Sequence, residues 1–238
     1  MKRTTSGAAR NMELNLIQQV AVWVIPVLFA ITIHEAAHGW VAKLLGDPTA
    51  MLLGRLTVNP IKHVDLVGTL IVPAIALLIS GFVFGWAKPV PVNWRNLKRP
   101  KRDMALVALA GPASNLVMAI GWALVLRVSV HYHELMAWIT EPLIWMSIAG
   151  VFVNCVLLLV NLLPIPPLDG GRVLTGLLPV RLARRFAMIE PIGIFIVLAV
   201  FLFGLIKIVV PTIHLSAALV GVPAVVFAQY LGRLVGGT

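Results

Sequence analysis

The chain has 238 residues, 60% hydrophobic and only 12% charged, with a mean hydropathy of +0.97. A soluble domain is nearer half apolar and a quarter charged, so these values exclude an ordinary globular protein and predict a polytopic membrane protein. The net charge of +10 fits basic loops facing anionic lipid better than it fits nucleic-acid binding.

The start, Met1 to Arg10, is basic, but no small-residue cleavage site closes a short apolar core after it. The first apolar segment is therefore expected to be retained. It runs from about Leu14 to Leu45, and at 1.5 Å per residue it reaches about 48 Å, enough to cross a bilayer. Pro26 should kink it, and Gly46-Asp47-Pro48 should stop it. Between Leu14 and Trp40 the only charged residue is Glu35, which lies inside His34-Glu35-Ala36-Ala37-His38. On a helix, His34 and His38 share one face and can send two imidazoles to one metal ion. Glu35 stands beside them, placed to take a proton from a water. Ionisable groups at such depth are costly unless paired or ligated, and a divalent ion would offset that cost. A catalytic zinc usually has three protein ligands, so the rest of the chain must supply the third.

Residues 51–65 form a mixed loop, in which Gly54 to Pro60 could make a short strand and turn. His63 and Asp65 lie here, and a solvated pair is the better expectation than a ligand pair. The second segment, Leu66 to Trp86, carries Gly68, Pro73, Gly81 and Gly85, then runs into a stretch near 87–93 that includes Pro89 and Pro91. That stretch cannot be regular helix. It is either an extended edge for a substrate peptide or a stiff loop. Arg95, Lys98, Arg99, Lys101 and Arg102 then mark a cytoplasmic loop.

The third segment, Met104 to Leu126, contains Gly111 and the polar Asn115, where small residues would let another helix approach. The fourth, Pro142 to Leu163, contains Asn154, Cys155 and Asn161, and the single Cys155 is expected to be a small buried hydrophobe. It breaks at Pro164, Pro166 and Pro167, followed by Asp169-Gly170-Gly171. Broken backbone in a membrane is tolerated only where protein or a wet cavity covers it, and a carboxylate there wants a counter-charge. Asp169 is thus the candidate third ligand. Arg172, Arg181, Arg184 and Arg185 give a second cytoplasmic signature. Segments five (Pro191 to Val210) and six (Thr212 to Leu231) are plain spans, with His214 expected at an interface. His131 and His133 are expected to be solvated.

The expected fold is an all-α membrane protein, a single bundle of five to six membrane segments over residues 1–238, with its catalytic core over about 14–186 and further membrane helices over 187–238. One zinc ligand set must draw on the C-terminal ends of segments one and four. If segments two, three and four all span, those ends face opposite sides; if segment two is re-entrant, they meet. Counting Lys and Arg on the inside gives equal totals for both arrangements, so ligand geometry favours re-entrance.

His34-Glu35-Ala36-Ala37-His38, together with Asn161-Leu162-Leu163-Pro164-Ile165-Pro166-Pro167-Leu168-Asp169-Gly170, resembles the two-part signature of the site-2 protease family of intramembrane zinc metalloproteases. The stretches Phe84 to Asn93 and Gly111 to Asn115 resemble a compact prokaryotic branch of it. Many relatives carry a PDZ domain or a CBS pair, and no segment here is long enough for either. The resemblance implies one Zn2+ per chain held by His34, His38 and Asp169, with Glu35 as the base. It also implies that Asn161 and Asn115 hold the substrate backbone or a developing oxyanion. The implied partners are a transmembrane protein substrate and the lipid bilayer, with no nucleic acid, in the plasma membrane of a prokaryote. The alternative reading is a metal or ion transporter using the same cluster as a pathway; against it, the ionisable residues sit in one place and no repeat is visible.

Overall fold

The computed structural model describes residues 16–63, 65–71 and 88–236. Among these the chain is helical without strands: α1 (Leu16–Leu44), α2 (Thr49–Leu52), α3 (Pro100–His131), α4 (Ala137–Asn161), α5 (Asp169–Leu177), α6 (Val180–Ala187), α7 (Glu190–Val220) and α8 (Ala224–Gly236), with short 3-10 or π turns between α2 and α3. The strand expected over Gly54 to Pro60 is replaced by irregular chain and a 3-10 turn at Pro60–His63. Among the described residues three helices, α1, α3 and α4, are long and apolar enough to cross a membrane, and Ile206–Val220 of α7 with Ala224–Val235 of α8 adds a fourth if this bent pair is one span. The described residues alone do not reach the five to six segments expected. Most of segment two lies outside the described residues, as does residue 87 of the stretch near 87–93.

The boundary expected at Pro211 is absent, because α7 runs through it to Val220. The Thr212 hydroxyl donates to the Ile208 carbonyl at 2.7 Å, a bond of the kind that helps an apolar helix tolerate a proline. The break falls instead at Gly221, whose φ of +82° suits a glycine helix cap, and Pro223 follows it. His214 accordingly lies within α7, on its exposed side.

The centre of the bundle is α1 against α3 and α4. Ala30, His34, His38 and Ala42 recur every four residues on α1 and are all buried. On α3 the buried row is Val107, Gly111, Asn115, Ala119 and Ala123, again every four. The two rows run antiparallel, for His38 meets Val107 while His34 meets Asn115. Small residues let these helices approach closely, the usual basis of helix association where lipid removes the hydrophobic drive. Gly150 does the same between α3 and α4, since a Cβ there would strike the Trp122 ring. Away from the site, Val22, Ile148, Val151, Cys155, Ala217, Phe227 and Leu234 form the apolar core. Outward-facing Ile17, Val20, Phe29, Val117 and Val128 are exposed, as a lipid-facing surface would be.

At the end of α1, Gly46 turns the chain with a φ of +114°. Two main-chain bonds then fix where the next stretch goes. The His63 carbonyl accepts the Lys88 N–H at 2.9 Å, and the Leu45 carbonyl accepts the Lys98 N–H at 3.2 Å. The described chain on either side of segment two therefore meets at one place, next to the end of α1. The start of α3 is thereby set beside the end of α1, and the end of α4 returns to the same end of the bundle.

Candidate metal centre

His34, His38 and Asp169 converge at that end. His34 Nε2 and His38 Nε2 are 3.1 Å apart. Asp169 Oδ2 lies 3.2 Å from the first and 3.3 Å from the second. All three residues are buried, at 8, 9 and 8% exposure. Among the described residues they are the one group of His, Cys, Asp and Glu arranged to hold a metal ion.

The protons on the imidazoles decide what this triangle is. His38 Nδ1 faces the Val107 carbonyl at 2.7 Å, and a carbonyl only accepts. His34 Nδ1 faces the Asn115 side-chain oxygen at 2.6 Å. Both Nδ1 atoms therefore donate, and in neutral rings both Nε2 atoms are bare lone pairs. Two bare nitrogens and a carboxylate oxygen then point at one another, and Asp169 Oδ2 is buried without a hydrogen-bond partner. Such a trio is unfavourable unless a cation sits among it. A single extra proton could satisfy only part of it; a divalent ion satisfies all three donors. The edges fit zinc as well, since tetrahedral bonds of about 2.0–2.1 Å place donors about 3.3 Å apart.

Local sequence explains the convergence. Gly111 is where α3 passes over the two rings, and a Cβ there would press into both. Asp169 opens α5, where a carboxylate also favours the positive end of the helix. Gly170 and Gly171 follow because their missing side chains let α5 fold back onto the main chain of Leu162 to Pro166. Glycine at both positions thus sets the depth of the carboxylate.

Glu35 is half-buried and outside the triangle, with Oε2 accepting the Val90 N–H at 2.8 Å. Val90 is itself buried and lies against Gly39, one turn beyond Glu35. The stretch 88–93 is not a strand, but it is fixed along its length. Arg55 donates to the Lys88 carbonyl at 3.1 Å, and the Asn93 N–H donates to Asp47 Oδ2 at 2.6 Å. Asp47 also accepts from Thr49 and from Asn96 Nδ2. Burial pushes the Asp47 carboxyl up, but the bonds from Thr49, Asn96 and Asn93 outweigh it and hold the group below the usual carboxylate range.

The remaining expected residues separate. Asn115 is fully buried and its amide is engaged with His34, Asn154 and the Ala30 carbonyl, so it does not face an open substrate site. Asn161 ends α4, half-buried, with Nδ2 donating to the Leu157 carbonyl at 3.0 Å. His63 is buried rather than solvated, its Nε2 paired with the Thr57 carbonyl at 2.9 Å, and it stands apart from the metal group. Asp65 accepts the Gly68 N–H. His131 is exposed, while His133 is bonded to the Thr140 hydroxyl. Three contributions had no signal in the residue pattern. The Val107 carbonyl and the Val90 N–H are main-chain groups that any residue carries, and Asp47 was legible only as a helix stop.

Residues 127–204 match the model of peptidase family M50, a stretch that includes Asn161 and Asp169. The chain is 41% identical to YwhC of Bacillus subtilis, a candidate zinc metalloprotease by name, over 75% of its own length and 78% of the relative's. It is 31% identical to Rip2 of Mycolicibacterium smegmatis, also named as a candidate zinc metalloprotease, over 71% of its own length and 62% of the relative's. Rip2 of Mycobacterium tuberculosis is similar at 27% identity, over 78% of this chain and 67% of that one. No solved structure matches the chain.

Proposed function

Because the chain belongs to peptidase family M50, the site-2 proteases, we propose that it is a membrane-embedded zinc endopeptidase that cuts another membrane protein within or near a transmembrane helix. The observation that carries this reading is the buried triangle of His34 Nε2, His38 Nε2 and Asp169 Oδ2, with a carboxylate next in sequence to the first ligand. Those three atoms would hold the zinc, and Asn161 is a candidate to hold the substrate backbone.

A zinc ion there supplies Lewis-acid chemistry, polarising the scissile carbonyl and acidifying water. Glu35 takes the proton of the attacking water on its carboxylate and passes it to the leaving amine nitrogen. The bond from Val90 occupies Oε2 and orients the side chain. Stretch 88–93, held by Asp47 and Arg55, keeps that Val90 N–H against Glu35. A helical substrate keeps its carbonyls in internal bonds, so its helix must unwind locally before attack. Helix-weakening residues near the cut are expected to speed cleavage.

Purified in detergent, the protein is expected to contain one zinc per chain and to cut members of a panel of transmembrane peptides. Cleavage should vanish on chelation and return with zinc. Metal flux into liposomes with no peptide cut would replace the protease by a transporter.

Segment two is proposed to be re-entrant, supported by the meeting of His63 with Lys88 and of Leu45 with Lys98. The basic residues at the end of α1, the start of α3 and through α5 and α6 then share one end of the bundle, the cytoplasmic one. Cys155 is buried, so introduced cysteines can be labelled against a quiet background. A cysteine at the exposed position of Leu52 is expected to label from the cytoplasm and one at position 2 from outside. Label reaching position 52 from outside would end this topology.

A further inference from the structure

The two ligand imidazoles are held in different ways. The Nδ1–H of His38 is fixed by a main-chain carbonyl, which substitution cannot remove. That of His34 is fixed by a side-chain amide, and an amide can present either its oxygen or its nitrogen. We propose that Asn115 and Asn154 act together as a positioning relay that locks His34 in the Nδ1–H tautomer and keeps its Nε2 lone pair turned toward the metal. The proposal rests on the metal-site reading above.

The direction of the relay is set at its far end. Asn154 Nδ2 donates to the Gly150 carbonyl at 2.8 Å. A carbonyl only accepts, so Asn154 must turn its nitrogen there and its oxygen toward Asn115. Asn115 Nδ2 donates to that oxygen at 3.0 Å. A second carbonyl, of Ala30, lies 3.4 Å from the same nitrogen and demands the same orientation. Asn115 is left with only its oxygen for His34, at 2.6 Å, so His34 must bring the proton. Flipping Asn115 would set its oxygen against two others. Flipping Asn154 as well would move the conflict to Gly150 without removing it.

Both amides are fully buried, so no solvent competes for these bonds. The chain of donors joins α4 through α3 to α1, the three helices at the centre of the bundle. A pair of amides in an apolar interior is costly unless its polar groups are used, and these are used in one direction. The role given to Asn115 by resemblance, contact with substrate, is replaced by one that acts through His34.

Zinc affinity, measured by competition with a chromophoric chelator, tests the relay on the full-length protein in detergent. Asn115→Leu removes the acceptor at similar volume and is expected to weaken zinc about 10–100-fold, the usual cost of losing an outer partner of a ligand histidine. Asn115→Asp restores an acceptor to His34 and is expected to recover most of that loss, although it opposes the Asn154 oxygen. Asn154→Leu leaves Asn115 anchored by Ala30 alone, and several-fold weakening is expected. The visible spectrum of the cobalt-substituted protein should shift in Asn115→Leu and return toward wild type in Asn115→Asp. A role in packing alone would lower thermal stability in the Leu and Asp variants without moving the affinity or the spectrum, and that result overturns the proposal. Should Asn115→Leu not fold, unchanged affinity in Asn154→Leu overturns it instead. His34→Ala and Asp169→Ala are the controls. If they too bind zinc as wild type, the site reading has failed; if they lose zinc while the Asn variants keep it, only the relay has.

Discussion

Glu35→Gln is expected to keep one zinc per chain and to lose cleavage by about 10²–10⁴-fold, the range that removal of a general base brings. The prediction has two halves because the geometry separates two jobs. The atoms placed to hold a metal are His34 Nε2, His38 Nε2 and Asp169 Oδ2, and Glu35 is not part of that group. A glutamine fills the same volume and can still accept the Val90 N–H, so the local chain keeps its place. Its amide cannot take a proton at neutral pH. Zinc content by elemental analysis and single-turnover cleavage of a transmembrane peptide check the two halves independently. Cleavage at the normal rate with zinc retained would remove Glu35 from the mechanism. Loss of zinc along with cleavage would make Glu35 a ligand, against the arrangement described here.

The parts of this site that were legible in the sequence are those set by covalent spacing. His34, Glu35 and His38 lie on one turn of one helix, so a spacing of four fixes their relation before anything folds. Asp169 was legible for a different reason: prolines, glycines and a carboxylate at the tip of an apolar helix are costly without a purpose. What pairs with what across helices was hidden. Asn115 was legible as a polar group where another helix approaches, and its substrate role came only from the resemblance; nothing in its neighbourhood announces Ala30, His34 or Asn154. His63 looked solvated because a loop histidine usually is, whereas here the loop folds back on the Thr57 carbonyl. Pro211 misled for a local reason. A proline normally ends a helix, but Thr212 bonds back to Ile208 and the turn is delayed to a glycine that can adopt a positive φ. The sixth segment, read as one plain span, is instead bent by 107° between Ile206–Val220 and Ala224–Val235.

Asp169→Ala separates a metal site from a buried ion pair. If Asp169 is chiefly a partner for protonated histidines, removing it strips a stabilising interaction and the protein without metal should unfold more easily. If the carboxylate is there for zinc, the metal-free protein already bears a cost, for Asp169 Oδ2 has no hydrogen-bond partner and faces two bare nitrogens. The alanine variant without metal is then expected to be at least as stable as wild type without metal. Gly170 and Gly171, which let α5 fold back on Leu162 to Pro166, are unchanged, so the start of that helix should persist. Zinc affinity, in contrast, should fall by more than the about 10–100-fold that loss of an outer partner costs, since a direct donor is gone. The two effects meet in one measurement. Added zinc should raise the unfolding temperature of wild type, because binding to the folded state alone stabilises it, and should leave that of Asp169→Ala nearly unmoved. An equal rise in both proteins would mean that the carboxylate opening α5 does not touch the ion, and the catalytic reading built on it would have to be abandoned.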